Sequence, residues 1–279
     1  EDLPLFMRTM RDLVRPGLEK IRIDSRESFQ RVEQFAEDYL PEISSQLEYY
    51  PGERPIFDLY GVEDEIQKAL GRKVELKSGG YLIIDQTEAM STIDINTGAF
   101  VGHRNLEETI FKTNLEAAAS LARQLRLRNL GGIIIIDFID MKDPEHRRQV
   151  LRALERAMEK DYAKTSITGV SDLGLVEMTR KRTRESLEHI LCETCRYCHG
   201  RGSLKSPETV CYEVFREILR ESRAYESKRL LVLASQEVVD RLLDEESANV
   251  ADLEEFIGAS IRFQVEAVYT QEQYDVVSL

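Results

Sequence analysis

No apolar run in the 279-residue chain approaches the ~20 residues of a membrane-spanning helix, which excludes a helical span of the bilayer. The N-terminus, Glu1-Asp2-Leu3-Pro4, carries neither a basic n-region nor an apolar h-region, so no secretory signal is expected. A starting Met is also missing, and a piece of a longer protein is expected. Internal repeats and low-complexity tracts are absent. Cysteine is scarce, with four residues, of which Cys192, Cys195 and Cys198 fall within seven positions. That crowding is poor geometry for disulfides and good spacing for a metal. With no leader, a reducing cytoplasm is the expected compartment.

Net positive charge is missing too. The chain carries −13 overall, which argues against a nucleic-acid partner until its distribution is considered. Residues 1–89 hold 12 basic and 19 acidic side chains, a balance of −7. Residues 90–202 hold 18 and 16, a balance of +2, and residues 203–279 hold 8 and 16, a balance of −8. The middle segment is the basic one, and the acidic ends serve solubility.

What is present is a mixed pattern of helices and strands, α/β in class (α+β), long enough for one large domain or two smaller ones. The spacing predicts a helix over Leu5–Val14, a strand at Ile21–Ile23 and a capped amphipathic helix over Ser25–Tyr39. A strand near Gln46–Tyr50 and a helix over Gly61–Leu70 follow. Lys73–Lys77 and Tyr81–Gln86 read as a hairpin across Ser78-Gly79-Gly80, with Met90–Asn96 as the next strand. A long helix is predicted from Asn105, with Glu108 completing a capping box, to about Asn129. Ile133–Asp137 is a short apolar strand, expected to be central and covered on both faces. Asp143-Pro144 opens another helix, Thr165–Met178 holds one or two strands, and Thr179–Ile190 reads as a basic helix. After a linker at Gly200–Pro207, helix (Ser206–Tyr225), strand (Arg229–Leu233), two helices (Gln236–Glu245, Asn249–Ile257) and strand (Ile261–Val268) form a small α/β module.

Two stretches carry the chemistry: Ser91-Thr92-Ile93-Asp94-Ile95-Asn96 and Gly131-Gly132-Ile133-Ile134-Ile135-Ile136-Asp137-Phe138-Ile139-Asp140. Each is an apolar β-run ending in carboxylates, whose charge needs compensation where it is buried. Asp94 and Asn96, two apart on a strand, share a face. A hard divalent cation such as Mg²⁺ suits oxygen ligands of this kind, and strand C-termini are common sites of ligand chemistry in open α/β sheets. Spacing alone leaves open whether Asp94 and Asp137 hold a metal or act as caps and hydrogen-bond acceptors. Asp140 reads as a loop residue and Asp143 as an N-cap. No histidine lies within either motif, so metal-activated water is favoured over a histidine base.

The cluster Cys192-Glu-Thr-Cys195-Arg-Tyr-Cys198-His199-Gly200-Arg201-Gly202 contains Cys-x-x-Cys-x-Gly-x-Gly, a knuckle suited to Zn²⁺. Structural zinc takes four ligands. Either Cys192, His199 or Cys211 completes the site, or a second copy of the chain supplies its own pair. An iron–sulfur site lacks a convincing fourth ligand, and a metal-free thiol cluster stays open. Arg180, Lys181, Arg182 and Arg184 form a cationic run, and Arg123, Arg126 and Arg128 another. Phosphate contact and a solvated helix face are both open for each run, and helix C-terminal complementation also for the second. His103 and Arg104 are placed to reach a substrate phosphate.

Together these residues resemble the ribonuclease E/G family. The carriers are Ile93-Asp94-Ile95-Asn96, Asn105-Leu-Glu-Glu-Thr, Thr113-Asn114-Leu115-Glu116-Ala117-Ala118, Arg123–Arg128, Gly131-Gly132 through Asp140-Met141, and Cys195-x-x-Cys198. Cys192 and the ending Gln271–Val277 look closest to the shorter paralogue. The resemblance implies an Mg²⁺-dependent endoribonuclease of single-stranded, AU-rich RNA that prefers a 5′-monophosphate and serves rRNA 5′-end maturation and mRNA decay. It implies Asp94 and Asp137 as Mg²⁺ ligands, Asn96 as their catalytic neighbour, and Cys195 and Cys198 as a zinc link joining a homodimer. It also implies an RNA contact at Lys164, standing where the family carries an Arg; His103 and Arg104 in the loop after the first motif and Arg180 and Arg182 of the cationic run are expected to contact RNA as well. The implied organisation is an RNase H-like part (1–69), a DNase I-like catalytic part (70–191), the zinc-link (192–205) and a small α/β domain (206–279). The family's S1 domain and its 5′-sensor Arg-Thr pair are not visible, so weak RNA binding and poor 5′-end sensing are expected of this chain.

Overall fold

A computed structural model of the chain describes residues 4–14, 17–98, 106–171, 173–224 and 228–279. Two compact units make up the chain, Glu1–Leu191 and Cys192–Leu279.

The first unit opens with helix α1 (Leu5–Leu13), strand β1 (Ile21–Ile23), helix α2 (Arg26–Tyr39), a 3₁₀ turn (Pro41–Gln46) and strand β2 (Leu47–Tyr49). β1 and β2 pair in parallel. Ser25 caps α2, its hydroxyl oxygen accepting the Ser28 N–H at 3.2 Å. Met10, Val32, Ala36 and Ile43 form a small local core. Helices α3 (Ile56–Leu59) and α4 (Val62–Leu70) lead into the main sheet.

That sheet contains β3 (Lys73–Glu75), β4 (Tyr81–Gln86), β5 (Met90–Asn96), β6 (Gly132–Asp137), β7 (Thr165–Val170) and β8 (Leu175–Arg180). Its order is β3-β4-β5-β6-β8-β7, and only β5 and β6 run parallel. Helix α5 (Leu106–Leu127) makes the crossover that a parallel pair requires. Helix α6 (Pro144–Met158) joins β6 to β7, with Asp143 as N-cap, its Oδ1 accepting the Glu145 N–H at 2.8 Å. Ile93, Ile95, Ile134 and Ile136 of the sheet pack with Leu121, Leu125, Val150 and Leu154 of α5 and α6 in one core. Each such side chain contributes about 1.5–3 kcal/mol of burial.

Two sequence expectations are corrected here. β6 is central, but only one of its faces is fully covered: Ile134 and Ile136 are buried while Ile133 is 47% exposed. α5 and α6 occupy the same side of the sheet, and the face carrying Ile133, Ile135 and Asp137 stays open. The predicted basic helix from Thr179 does not form. Thr179 and Arg180 complete β8, paired with Ile133 and Gly132, and helix α7 covers only Leu187–Leu191. The alternation Val176, Met178, Arg180 buried against β6 outweighs the local helical preference of the basic run. The Asn105 cap lies outside the described residues.

The second unit contains α8 (Pro207–Ala224), β9 (Arg229–Ala234), α9 (Gln236–Leu243), α10 (Ser247–Ile257), β10 (Ser260–Val265) and β11 (Tyr274–Ser278). β9 lies between a parallel β10 and an antiparallel β11, an edge strand that the sequence reading did not contain. The stretch read as a linker is pinned. The Glu272 carboxylate accepts from Arg201 at 2.5 and 2.7 Å and from the Lys205 N–H at 2.7 Å.

Candidate active site

β5 and β6 bring Asp94 and Asp137 directly opposite each other in the parallel register. Neighbouring strands lie about 4.8 Å apart, so the two exposed carboxylates stand side by side at the end of the open face. Asn96 lies two residues on from Asp94, and its Nδ2 donates to Asp94 Oδ2 at 2.9 Å, fixing that carboxylate. Burial holds the Asp137 carboxyl above the usual carboxylate range, and the charges of Asp94 and Asp140 push it further up. Among the described residues no Lys, Arg or His pairs with any of these three aspartates. Crowded, uncompensated oxygen donors of this kind fit a hard divalent cation. Among the described residues no three His, Cys, Asp or Glu side chains cluster as one metal site, and the candidate donors are the paired Asp94 and Asp137.

Residues of α5 hold the loops around this pair, a role the sequence reading did not assign. Asn114 is fully buried; its Nδ2 donates to the Ile139 carbonyl at 2.8 Å and its Oδ1 accepts the Ile139 N–H at 3.1 Å. That clamp fixes the segment from Asp137 to Asp140. Glu107 accepts the Lys142 and Asp143 N–H groups at 3.0 and 3.2 Å at the start of α6. The Asp143 N–H, with help from His146 and Lys142, holds its carboxyl below the usual range against the opposing effect of burial. Glu116 accepts the Lys77 and Ser78 N–H groups at 2.6 and 2.9 Å, securing the β3–β4 turn. That turn packs so closely that a Cβ on Gly80 would lie 2.6 Å from the Asn96 carbonyl. The only sequence signal for these clamps is polar residues on the buried stripe of an amphipathic helix.

The cationic candidates do not gather at the carboxylates. Arg180 is corrected from an RNA contact to a structural residue. It is buried with Asp161, side chains 5% and 2% exposed, Nε to Oδ2 at 2.7 Å, and it also donates to the Leu130 carbonyl at 2.8 Å. Arg180 and Lys164 stand at the start of β6, some 16 Å of strand away from Asp137. Lys164 is exposed and its carbonyl accepts the Lys181 N–H at 2.9 Å. Arg182 is exposed at the same end, its Nε donating to the Gly131 carbonyl at 3.1 Å. Arg123, Arg126 and Arg128 meet Glu65, the Ala157 carbonyl and the Gly71 carbonyl, respectively. His103 and Arg104 lie outside the described residues.

In the second unit, Cys195 and Cys198 stand within hydrogen-bonding reach of each other. The Gly202 and Gly200 N–H groups, then Cys195, hold the Cys198 thiol below its usual range. A thiol whose ionisation is favoured by backbone N–H groups fits zinc, which binds the thiolate, and two sulfurs make half of a tetrahedral site. Cys211 is fully buried in the core, its thiol donating to the Val238 carbonyl at 3.8 Å, with burial pushing it up to about 11. It is a core residue and not a fourth ligand.

Family models match both units: "Ribonuclease E/G family" over residues 1–183 and "RNase E/G, Thioredoxin-like domain" over residues 194–279. The chain belongs to the ribonuclease E/G family. It is 62% identical over its whole length to Ribonuclease G of Salmonella typhimurium and 60% identical to Ribonuclease G of Escherichia coli K12. It is 37% identical over 90% of its length to Ribonuclease E of the same E. coli strain, of which it spans 24%. It spans 57% of the length of the two Ribonuclease G relatives.

Proposed function

We propose that the chain is the catalytic part of an Mg²⁺-dependent, single-strand-specific endoribonuclease of the cytoplasm, acting in rRNA 5′-end maturation and mRNA decay. The observation that carries this reading is the in-register Asp94–Asp137 pair, oriented by Asn96, on a chain of the ribonuclease E/G family. Asp94 and Asp137 are the residues that would hold the cation. When bound, Mg²⁺ supplies Lewis-acid polarisation of the scissile phosphate and activation of the attacking water. Asn96 keeps the Asp94 carboxylate turned to the site. Asp137, with its raised pKa, retains its proton more readily than a free carboxyl until a cation favours the charged form.

In the same reading residues 1–69 are RNase H-like, 70–191 DNase I-like, 192–205 the zinc-link and 206–279 a small module. Zn²⁺ held by Cys195 and Cys198 would be shared with a second copy, making a homodimer. No helix among the described residues is long and apolar enough to cross a membrane.

Mg²⁺-dependent cleavage of a single-stranded RNA oligonucleotide tests the reading. Asp94→Asn and Asp137→Asn are each expected to lower cleavage by about a thousandfold or more with folding intact, a loss of several kcal/mol of charge stabilisation. RNA binding without cleavage by the unmutated chain would instead point to a non-catalytic, zinc-linked binding module. Zinc analysis with mass determination is expected to give about half a zinc per chain in a dimer, as a shared four-ligand site requires.

A further inference from the structure

At the end of β6, on the side of the sheet that α6 covers, lies a pocket of about 220 Å³ with Asp140 in its lining. Its apolar walls include Phe138, Val150, Leu151 and Val176, between the end of β6, the face of α6 and the β7–β8 hairpin. Asp140 and Ser171 stand at its polar edge. Leu173 and Val170, 85% and 43% exposed, form an apolar rim in the hairpin, where burial would ordinarily be favoured. Arg147 lines the same pocket, anchored by Nε on the Met141 carbonyl at 2.7 Å.

Three features point to one occupant. The volume is below the 300–1,000 Å³ of drug-sized sites and suits a single heterocyclic ring system. Apolar walls with an arginine beside them are the surroundings in which splayed-out RNA bases stack. Asp140 is three residues from Asp137, so the mouth is within about 11 Å of chain from the carboxylate pair. Asp140 lines the pocket, and its Oδ1 would lie 3.8 Å from a Cβ on Gly174, another lining residue. An ionised carboxylate only accepts hydrogen bonds. It therefore favours a base edge with an exocyclic amino group, as in adenine, cytosine or guanine, and disfavours the two carbonyls of uracil.

We infer that this pocket receives one nucleobase of the RNA strand next to the scissile phosphate, selecting an amino-bearing base over uracil through Asp140. The inference rests on the endoribonuclease reading. Its test is a set of single-stranded oligonucleotides of fixed length, each carrying A, C, G, U or an abasic site at one position flanking the cut. kcat/KM is measured with Mg²⁺, and affinity is measured separately by fluorescence anisotropy without divalent metal. One flanking position is expected to lose about tenfold in both quantities with an abasic site, and a similar factor with uracil. Asp140→Asn is expected to remove the discrimination against uracil but keep the abasic penalty, because an amide can also donate. The ratio between bases cancels any effect that loss of the Asp140 charge has on Asp137. Leu173→Ala, an exposed change that leaves folding intact, is expected to shrink the abasic penalty. Cleavage that depends on Asp94 and Asp137 but shows no base preference at any flanking position would overturn the pocket and leave the endoribonuclease standing. Unchanged preference in Asp140→Asn would overturn the role of Asp140. Absence of cleavage together with a metal-free base preference would overturn the endoribonuclease and retain the pocket.

Discussion

The two ends of β6 treat buried and crowded aspartates in opposite ways. At its start, Gly132 pairs with Arg180, whose guanidinium closes on Asp161 in near-complete burial. Burial raises the Asp161 carboxyl, but hydrogen bonds from Arg180 and the Ala163 N–H outweigh it and hold the group below the usual range. At its end, Asp137 meets Asp94 and Asp140 and is held above that range. One end neutralises its charge within the chain; the other leaves charge for something outside the chain to neutralise. The same residue type is structural in one place and available in the other because of its neighbours, not because of its place on a strand.

Breaking the neutralised end is expected to have the largest effect on stability. Arg180→Ala leaves Asp161 as an unpaired buried charge, expected to cost about 3–5 kcal/mol. Chemical denaturation at neutral pH measures it, and a loss below 1 kcal/mol would mean that the pair is not buried as described. Next in size is Asn114→Ala, which strips partners from both the N–H and the carbonyl of Ile139, each worth roughly 1–3 kcal/mol. It is expected to lower cleavage as well as stability, since Ile139 lies between Asp137 and Asp140. Asn114→Asp keeps the acceptor but sets an oxygen against the Ile139 carbonyl, and is expected to be no better.

The smallest effect separates the two ends by pH. Asp161 has a lowered folded pKa, so its stabilisation is full above about pH 3.9 and is lost as pH falls through the folded value. Asp137 has a raised folded pKa, so without metal its contribution is favourable at low pH and is lost as pH rises through the folded value. Metal-free Asp137→Asn is therefore expected to melt slightly above the parent at pH 7 and to match it at pH 3. Added Mg²⁺ is expected to raise the melting temperature of the parent and not of the variant. Identical melting of the two proteins at pH 7 without metal would remove the charge strain assigned to this end.

Much of the first unit was legible because it is local. The alternation in Met90–Asn96, the apolar run of β6 and the 3.6-residue stripe of α5 each lie within one stretch of sequence. Arg180 was not legible. Within Arg180–Arg184 it looks like its cationic neighbours, and what sets it apart is Asp161, 19 residues back, together with its place opposite Gly132. Asn114 is in the same position: its partner, Ile139, lies 25 residues on. Cys211 looks like a fourth thiol in sequence, and its place among Val210, Val214 and Ile218 makes it packing. Polar residues whose role depends on a distant partner are the ones that local pattern misassigns.

The clamps of α5 also have a kinetic meaning. The amides of Lys77, Ser78, Ile139, Lys142 and Asp143 are tied to Glu116, Asn114 and Glu107 of a single helix. Undocking α5 therefore removes the hydrogen-bond partners of all these loops at once. When that helix lifts, the five amides should lose their protection from hydrogen exchange together, as one opening event.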